Sequence, residues 1–186
     1  MKTLLTNAKV IDPVTETISD GEVMFEDGII IPKSQADETI DCRGQYISPG
    51  LIDLGVKVGE PGERHKESYK SAGAAAAAGG VTTIVTRPDT NPAIDTPEVL
   101  EFIRRRAQEV CPVNVFHMVA LTKGRAGREM TEIGFLKDAG AVAFTDFNNV
   151  VKNSKILLRA LSYAKSLGAL VICLLYTSPS PRDNSG

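Results

Sequence analysis

Hydrolysis at a zinc site takes three or more side-chain ligands, drawn from histidine and carboxylate. This sequence holds only two histidines. His65 stands in Glu63-Arg64-His65-Lys66-Glu67, among charges, where a solvated or capping role is the simplest reading. His117 falls inside the apolar run Val115-Phe116-His117-Met118, where a core histidine with a backbone partner competes with a ligand. The two are not spaced as a chelating pair. Other reactive side chains gather where apolar runs end. Lys57 follows Leu51-Ile52-Asp53-Leu54, and strand alternation puts Gly55, Lys57 and Gly59 on one face, a single cation between two glycines. Arg87, Asp89 and Asn91 lie in Thr86-Arg87-Pro88-Asp89-Thr90-Asn91-Pro92, either a binding loop or a proline-rich turn packed by its own side chains. Asp146 ends another run and reads as a helix or loop cap. The basic loop 121–129, punctuated by Gly124 and Gly127, could meet a phosphate or another subunit, but it lacks Walker spacing.

The elements that position these residues come in two kinds. Residues 1–48 read as short strands and turns, with a turn at Asp12-Pro13 and a hairpin at Glu26-Asp27-Gly28. Such an element is too thin to bury a core alone. From Leu51 the period changes. Strands are expected near 51–58, 81–86, 113–120, 141–145 and 169–175, with helices near 66–79, 97–110, 131–139 and 154–167. The step of about thirty residues is one βαβ unit. The strands are Val/Ile-rich and apolar on both faces, as buried parallel strands are. Thr96-Pro97-Glu98 and Asn153-Ser154 are helix starts, and Gly79-Gly80, Gly140 and Gly168 follow helix ends. The run of alanines 74–78 suggests a helix face packed closely on the sheet. The pattern predicts a partial (β/α)8 barrel of the TIM type, about five strands long, behind a small β-sandwich segment; an open doubly wound sheet is the alternative.

Bulk properties exclude several classes. The net charge of −2 and 24% charged residues give no argument for a nucleic-acid or membrane partner. The longest apolar stretch, 169–175, is far too short to span a bilayer. The first residues turn polar after two leucines, unlike a signal peptide, and the three scattered cysteines form no framework, so a reduced cytoplasmic setting is expected. Residues 176–186, a Ser/Pro run without apolar period, look like translated adapter rather than native chain. A barrel needs about 250 residues, so the natural protein is expected to continue, with 1–48 and 49–175 as the first parts of its two domains.

Several motifs together resemble the dihydroorotase branch of the amidohydrolase superfamily. They are PGLID (49–53), EPGERHKES (60–68), AAAAGGVTT (75–83), RPDTNP (87–92), ALTKG (120–124) and AGAVAFTD (139–146), and the resemblance covers about residues 1–172. It implies a barrel joined to a β-sandwich built from both chain ends. Active members carry two zinc-holding histidines on the first barrel strand, and the matching positions here are Gly55 and Lys57. A substrate-binding arginine corresponds to Gly59, a substrate-binding asparagine to Asp89, and the methionine before it to Arg87. Asp146 matches a metal-bridging carboxylate and Phe147 a second acid. The resemblance thus implies substrate contacts from Arg87, Asp89 and Asn91, one metal carboxylate at Asp146, and vestigial ligand positions at Gly55 and Lys57. No cofactor is expected for this chain, zinc belonging to active relatives. Lys57 either neutralises carboxylates such as Asp53 or Asp146 or simply snorkels to solvent. Two functions follow: a non-catalytic homologue acting as structural partner of aspartate transcarbamoylase, or an active dihydroorotase of pyrimidine synthesis. Another cyclic amide is a third substrate option, and a homo-oligomer is compatible with either.

Overall fold

The computed structural model describes residues 1–173, in two compact units that divide at Gly50 and Leu51. The expected tail 176–186 and the end of the fifth strand lie outside the described residues. In the first unit, β1 (Lys2–Asp12) pairs antiparallel with β2 (Thr17–Glu26), and β3 (Ile29–Ile31) adds to the far side of β2. The β2–β3 hairpin turns on Asp27 and Gly28, both at positive φ (50° and 78°), the geometry of a two-residue type I′ loop. β4 (Glu38–Asp41) and β5 (Tyr46–Ile47) both run parallel to β1 on its other side. β1 is longer than the short strands expected in this segment, and it is interrupted by an irregularity between Leu5 and Ala8. Its apolar interior is small: Ala8 and Met24 are the buried hydrophobics of this unit.

The second unit alternates strand and helix: β6 (Leu51–Val56), α1 (Tyr69–Ala78), β7 (Val81–Thr86), α2 (Pro97–Val110), β8 (Asn114–Val119), α3 (Ile133–Asp138), β9 (Ala143–Phe144) and α4 (Ser154–Ser166). The sheet runs β6-β7-β8-β9, every pair parallel. Helix starts follow local chemistry. Ser68 and Ser71 cap α1 reciprocally, so it begins three residues later than the apolar pattern suggests. Thr96 accepts from Val99 N–H ahead of Pro97, and Asn153 accepts from Lys155 and Ile156 N–H. In α1 the buried residues are Tyr69, Ala72 and Gly73, whereas most of the alanine run 74–78 is exposed; the close-packed patch lies one turn earlier than expected.

The main core joins one face of this sheet to the helices. Val119 and Phe144 meet Tyr69, Leu100, Ile103, Ala107, Ile133, Leu136, Ala160 and Ala164 in one cluster. The opposite face buries only Val85, Met118 and Ala143, with Ile172 beside them. Helices on a single face distinguish a barrel wall from a doubly wound sheet, which is covered on both. Within the described part of the expected fifth strand, residues 169–173, one bridge joins Phe144 to Val171, held by Phe144 N–H to Leu170 O and Ile172 N–H to Phe144 O, both 2.9 Å. One expectation changes. β6 is not buried on both faces: Leu51, Ile52 and Leu54 are 62%, 64% and 69% exposed, because β7 is its one strand neighbour among the described residues. No helix among these residues is long and apolar enough to cross a membrane.

The one-sided core predicts a hierarchy of costs. Leu100→Ala, fully enclosed beneath the helices, should lower stability by about 3 kcal/mol. Thr96→Ala, which removes only a cap, should cost about 1 kcal/mol. Urea unfolding of the two variants measures both.

Candidate functional site

The loops after β6, β7, β8 and β9 leave the same end of the sheet, where barrel enzymes place their chemistry. The first begins with a break in register. Leu54 pairs with Val85 and Val56 with Thr86, so Gly55 is an extra residue, and its φ of +87° is one that glycine adopts without penalty. This bulge ends the alternation, so Gly55, Lys57 and Gly59 do not share a regular strand face as expected. Gly59 is enclosed more tightly. A Cβ there would lie 2.4 Å from the Glu63 carbonyl oxygen and 3.1 Å from that of Glu67. Position 59 has no room for any side chain, least of all an arginine.

Sequence reading missed the residue that fixes this loop. Glu60 is buried; its Oε1 accepts from Arg106 Nε at 2.9 Å and pairs with Arg64 Nε at 3.6 Å, while Oε2 accepts from Tyr69 N–H at 3.2 Å. The carboxylate thereby ties the loop to α2 and to the positive N-terminus of α1. The only sequence signal was a carboxylate before a Pro-Gly turn.

Lys57, Arg87, Asp89 and Phe147 come together. Arg87 grips Asp89 with two bonds, Nε to Oδ1 at 3.1 Å and Nη2 to Oδ2 at 2.8 Å. Lys57 Nζ lies 3.9 Å from the same Oδ2. The guanidinium stacks on Phe147, 3.8 Å from the ring centroid. Phe147 holds φ +54°, a left-handed conformation costing about 1 kcal/mol or more in a non-glycine residue, secured by its N–H to Thr145 Oγ1 at 2.9 Å. The partner of Lys57 is thus Asp89, not Asp53 or Asp146. Asp53 is exposed on β6. Asp146 is buried, with Oδ1 taking Thr122 N–H at 3.0 Å and Oδ2 taking the Thr122 hydroxyl at 2.6 Å. It clamps the loop after β8, as a cap does. Asn91 stands apart from the ion cluster: its N–H reaches Pro61 O at 3.3 Å and its backbone lies against Gly62.

The two histidines separate as well. His65 is exposed. His117 is buried on the helix side of the sheet, its Nδ1 2.8 Å from Thr86 Oγ1 and its ring edge-on to Tyr69 at 5.9 Å. Its partner is a hydroxyl rather than the backbone expected. Burial, with a smaller contribution from the Arg104 charge, pushes its pKa down to about 4; burial also raises Tyr69. The basic loop after β8 is engaged internally. Lys123 pairs with Glu129, which raises its pKa, Arg125 Nη2 donates to Asn148, and Gly124 N–H donates to Asp95.

These donors do not fit zinc. Position 55 has no side chain, position 57 is an ammonium, and both Asp146 oxygens hold Thr122. Among the described residues, no three His, Cys, Asp or Glu side chains are placed to hold a metal ion.

The one-sided parallel sheet with its polar mouth defines a fold class, part of a (β/α) barrel. An L-hydantoinase (dihydropyrimidinase) from Arthrobacter aurescens superposes with a TM-score of 0.78 at 19% identity, over 91% of this chain and 39% of that one. A dihydropyrimidinase from Brevibacillus agri NCHU1002 gives 0.71 at 22%, over 92% and 39%. At these identities the likeness shows the fold. Sequence narrows the class: the dihydro-orotase-like family model matches residues 44–174, and the chain belongs to that family. A dihydroorotase of Wolbachia sp. subsp. Drosophila simulans (strain wRi) is 41% identical over 174 residues, 90% of this chain and 39% of the relative. That of Sulfurihydrogenibium sp. (strain YO3AOP1) is 38% identical over 174 residues, 90% and 41%. The chain spans about two fifths of the length of these curated relatives.

His117 predicts an acid-sensitive fold. Its folded pKa, about 4, lies below the unfolded value near 6.5, so its contribution is complete above pH 6.5 and lost as pH falls toward 4. The loss should reach about 3 kcal/mol for this pKa difference. Urea midpoints of the native protein and His117→Asn between pH 7 and pH 4.5 measure it, the variant showing the shallower decline.

Proposed function

We propose that this chain belongs to a dihydroorotase-like protein that performs no metal-assisted hydrolysis and serves as a structural partner of aspartate transcarbamoylase in pyrimidine synthesis, in the cytoplasm. The observation that carries this reading is the backbone around the first mouth loop. A bulge with φ +87° at Gly55 strains any other residue there, and the carbonyls packed around Gly59 leave no room for a side chain that would hold an anionic amide. Lys57 supplies a fixed positive charge instead, balanced in part by Asp89. Arg87, Asp89 and Asn91 remain the candidates for contact with a small anion, with Asp146 as the one carboxylate at a metal position. A homo-oligomer is compatible with this role.

A second reading, an active dihydroorotase or other cyclic-amide hydrolase, is favoured by identity near 40% to curated dihydroorotases and by the buried Asp146 at the end of β9. In that case the further metal ligands come from the C-terminal part of the relatives' length, which this chain does not span.

Three measurements separate the readings. Metal analysis of the purified protein should find far less than one zinc per chain, and about one would overturn the metal-free reading. Cyclisation of carbamoyl-aspartate with added zinc should stay at background, whereas robust turnover makes the protein an enzyme. Co-elution with aspartate transcarbamoylase is expected, and its absence removes the partner role.

A further inference from the structure

We propose that Arg87 forms a carboxylate-binding site that the protein keeps closed with its own Asp89. Two parallel bonds from one guanidinium edge, with an aromatic ring under its face, form the arrangement by which arginine recognises a carboxylate ligand. Here the carboxylate comes from two residues away, across Pro88. The grip is protected from water: the side chains of Arg87 and Asp89 are only 16% and 10% exposed.

The cluster is nevertheless uneven in charge. Lys57 and Arg87 bring two cations, and among the described residues Asp89 is the one acid within 4.0 Å of either. Neighbouring acids are committed elsewhere, Asp146 to Thr122 and Glu60 to Arg106 and Arg64. Lys57 lies 3.9 Å from Asp89 with half its side chain exposed, so it offers Asp89 a second place to rest. An incoming carboxylate can take the Arg87 fork while Asp89 shifts onto Lys57, and two cations then face two carboxylates. Gly55 lies beside this arrangement, a Cβ there falling 4.0 Å from Arg87 Cδ in ordinary contact, and its φ of +87° sets where the chain turns toward Lys57. Phe147, held in its left-handed conformation, keeps the guanidinium flat and pre-oriented. The ligand class is a small carboxylate; this rests on the reading of Arg87 and Asp89 as contacts for a small anion, and not on whether the protein is catalytic or has a protein partner.

Succinate titrated calorimetrically into the native protein should bind weakly. Asp89→Asn, which frees the fork while keeping its shape, should bind it about tenfold more tightly or better, the scale of a charge-assisted contact. Arg87→Gln in the Asp89→Asn background should abolish that gain. Asp53→Asn removes a carboxylate that does not touch Arg87 and should leave affinity unchanged. An equal gain in Asp53→Asn, or none in Asp89→Asn, overturns the proposal. Should Asp89→Asn not fold, the native protein decides: succinate must move the assigned Arg87 Nε–H resonance saturably, and an unresponsive resonance overturns the proposal equally.

Discussion

Everything at the mouth of the sheet depends on one buried carboxylate. Glu60 receives Arg106 from α2, Arg64 from its own loop and the first N–H of α1, so three separate pieces of chain converge on two oxygens. A buried charge without partners costs several kcal/mol, and removing any partner exposes the protein to that cost. The loop after β6 therefore has little freedom. Once Glu60 is fixed, Gly59 must pass between the carbonyls of Glu63 and Glu67, and Lys57 must leave β6 toward Asp89. The charged cluster follows from an anchor outside it.

Local chemistry made much of the fold legible. The helices α2 and α4 begin where Thr96 and Asn153 announce them, because capping involves only the next few N–H groups. The alternation of strand and helix followed from hydrophobic period and from the thirty-residue step. Features set by distant partners were hidden. The exposure of Leu51, Ile52 and Leu54 depends on what lies beside β6, which an apolar run cannot tell.

The site was legible in its positions and not in its contacts. Arg87, Asp89, Lys57 and Asp146 all stand at the C-terminal ends of strands, as their sequence neighbours implied. Which acid meets Lys57 is decided by the bulge at Gly55, a backbone event that strict alternation overlooks. Asp146 read as a cap, but the partner it caps was hidden, because Thr122 is 24 residues away. His117 shows the same blindness, since its partner Thr86 comes from the neighbouring strand. Glu60 escaped notice because its value lies in Arg106, 46 residues on.

The one-sided core also sets an order of assembly. Each helix covers the sheet face beside strands already made, so α1 to α4 can dock in sequence as the chain emerges from the ribosome. The other face gathers only Val85, Met118, Ala143 and Ile172, while β6 keeps its leucines and isoleucine in water. An exposed apolar sheet face of this kind is a surface through which a nascent chain can meet a chaperone or join its neighbours in an aggregate.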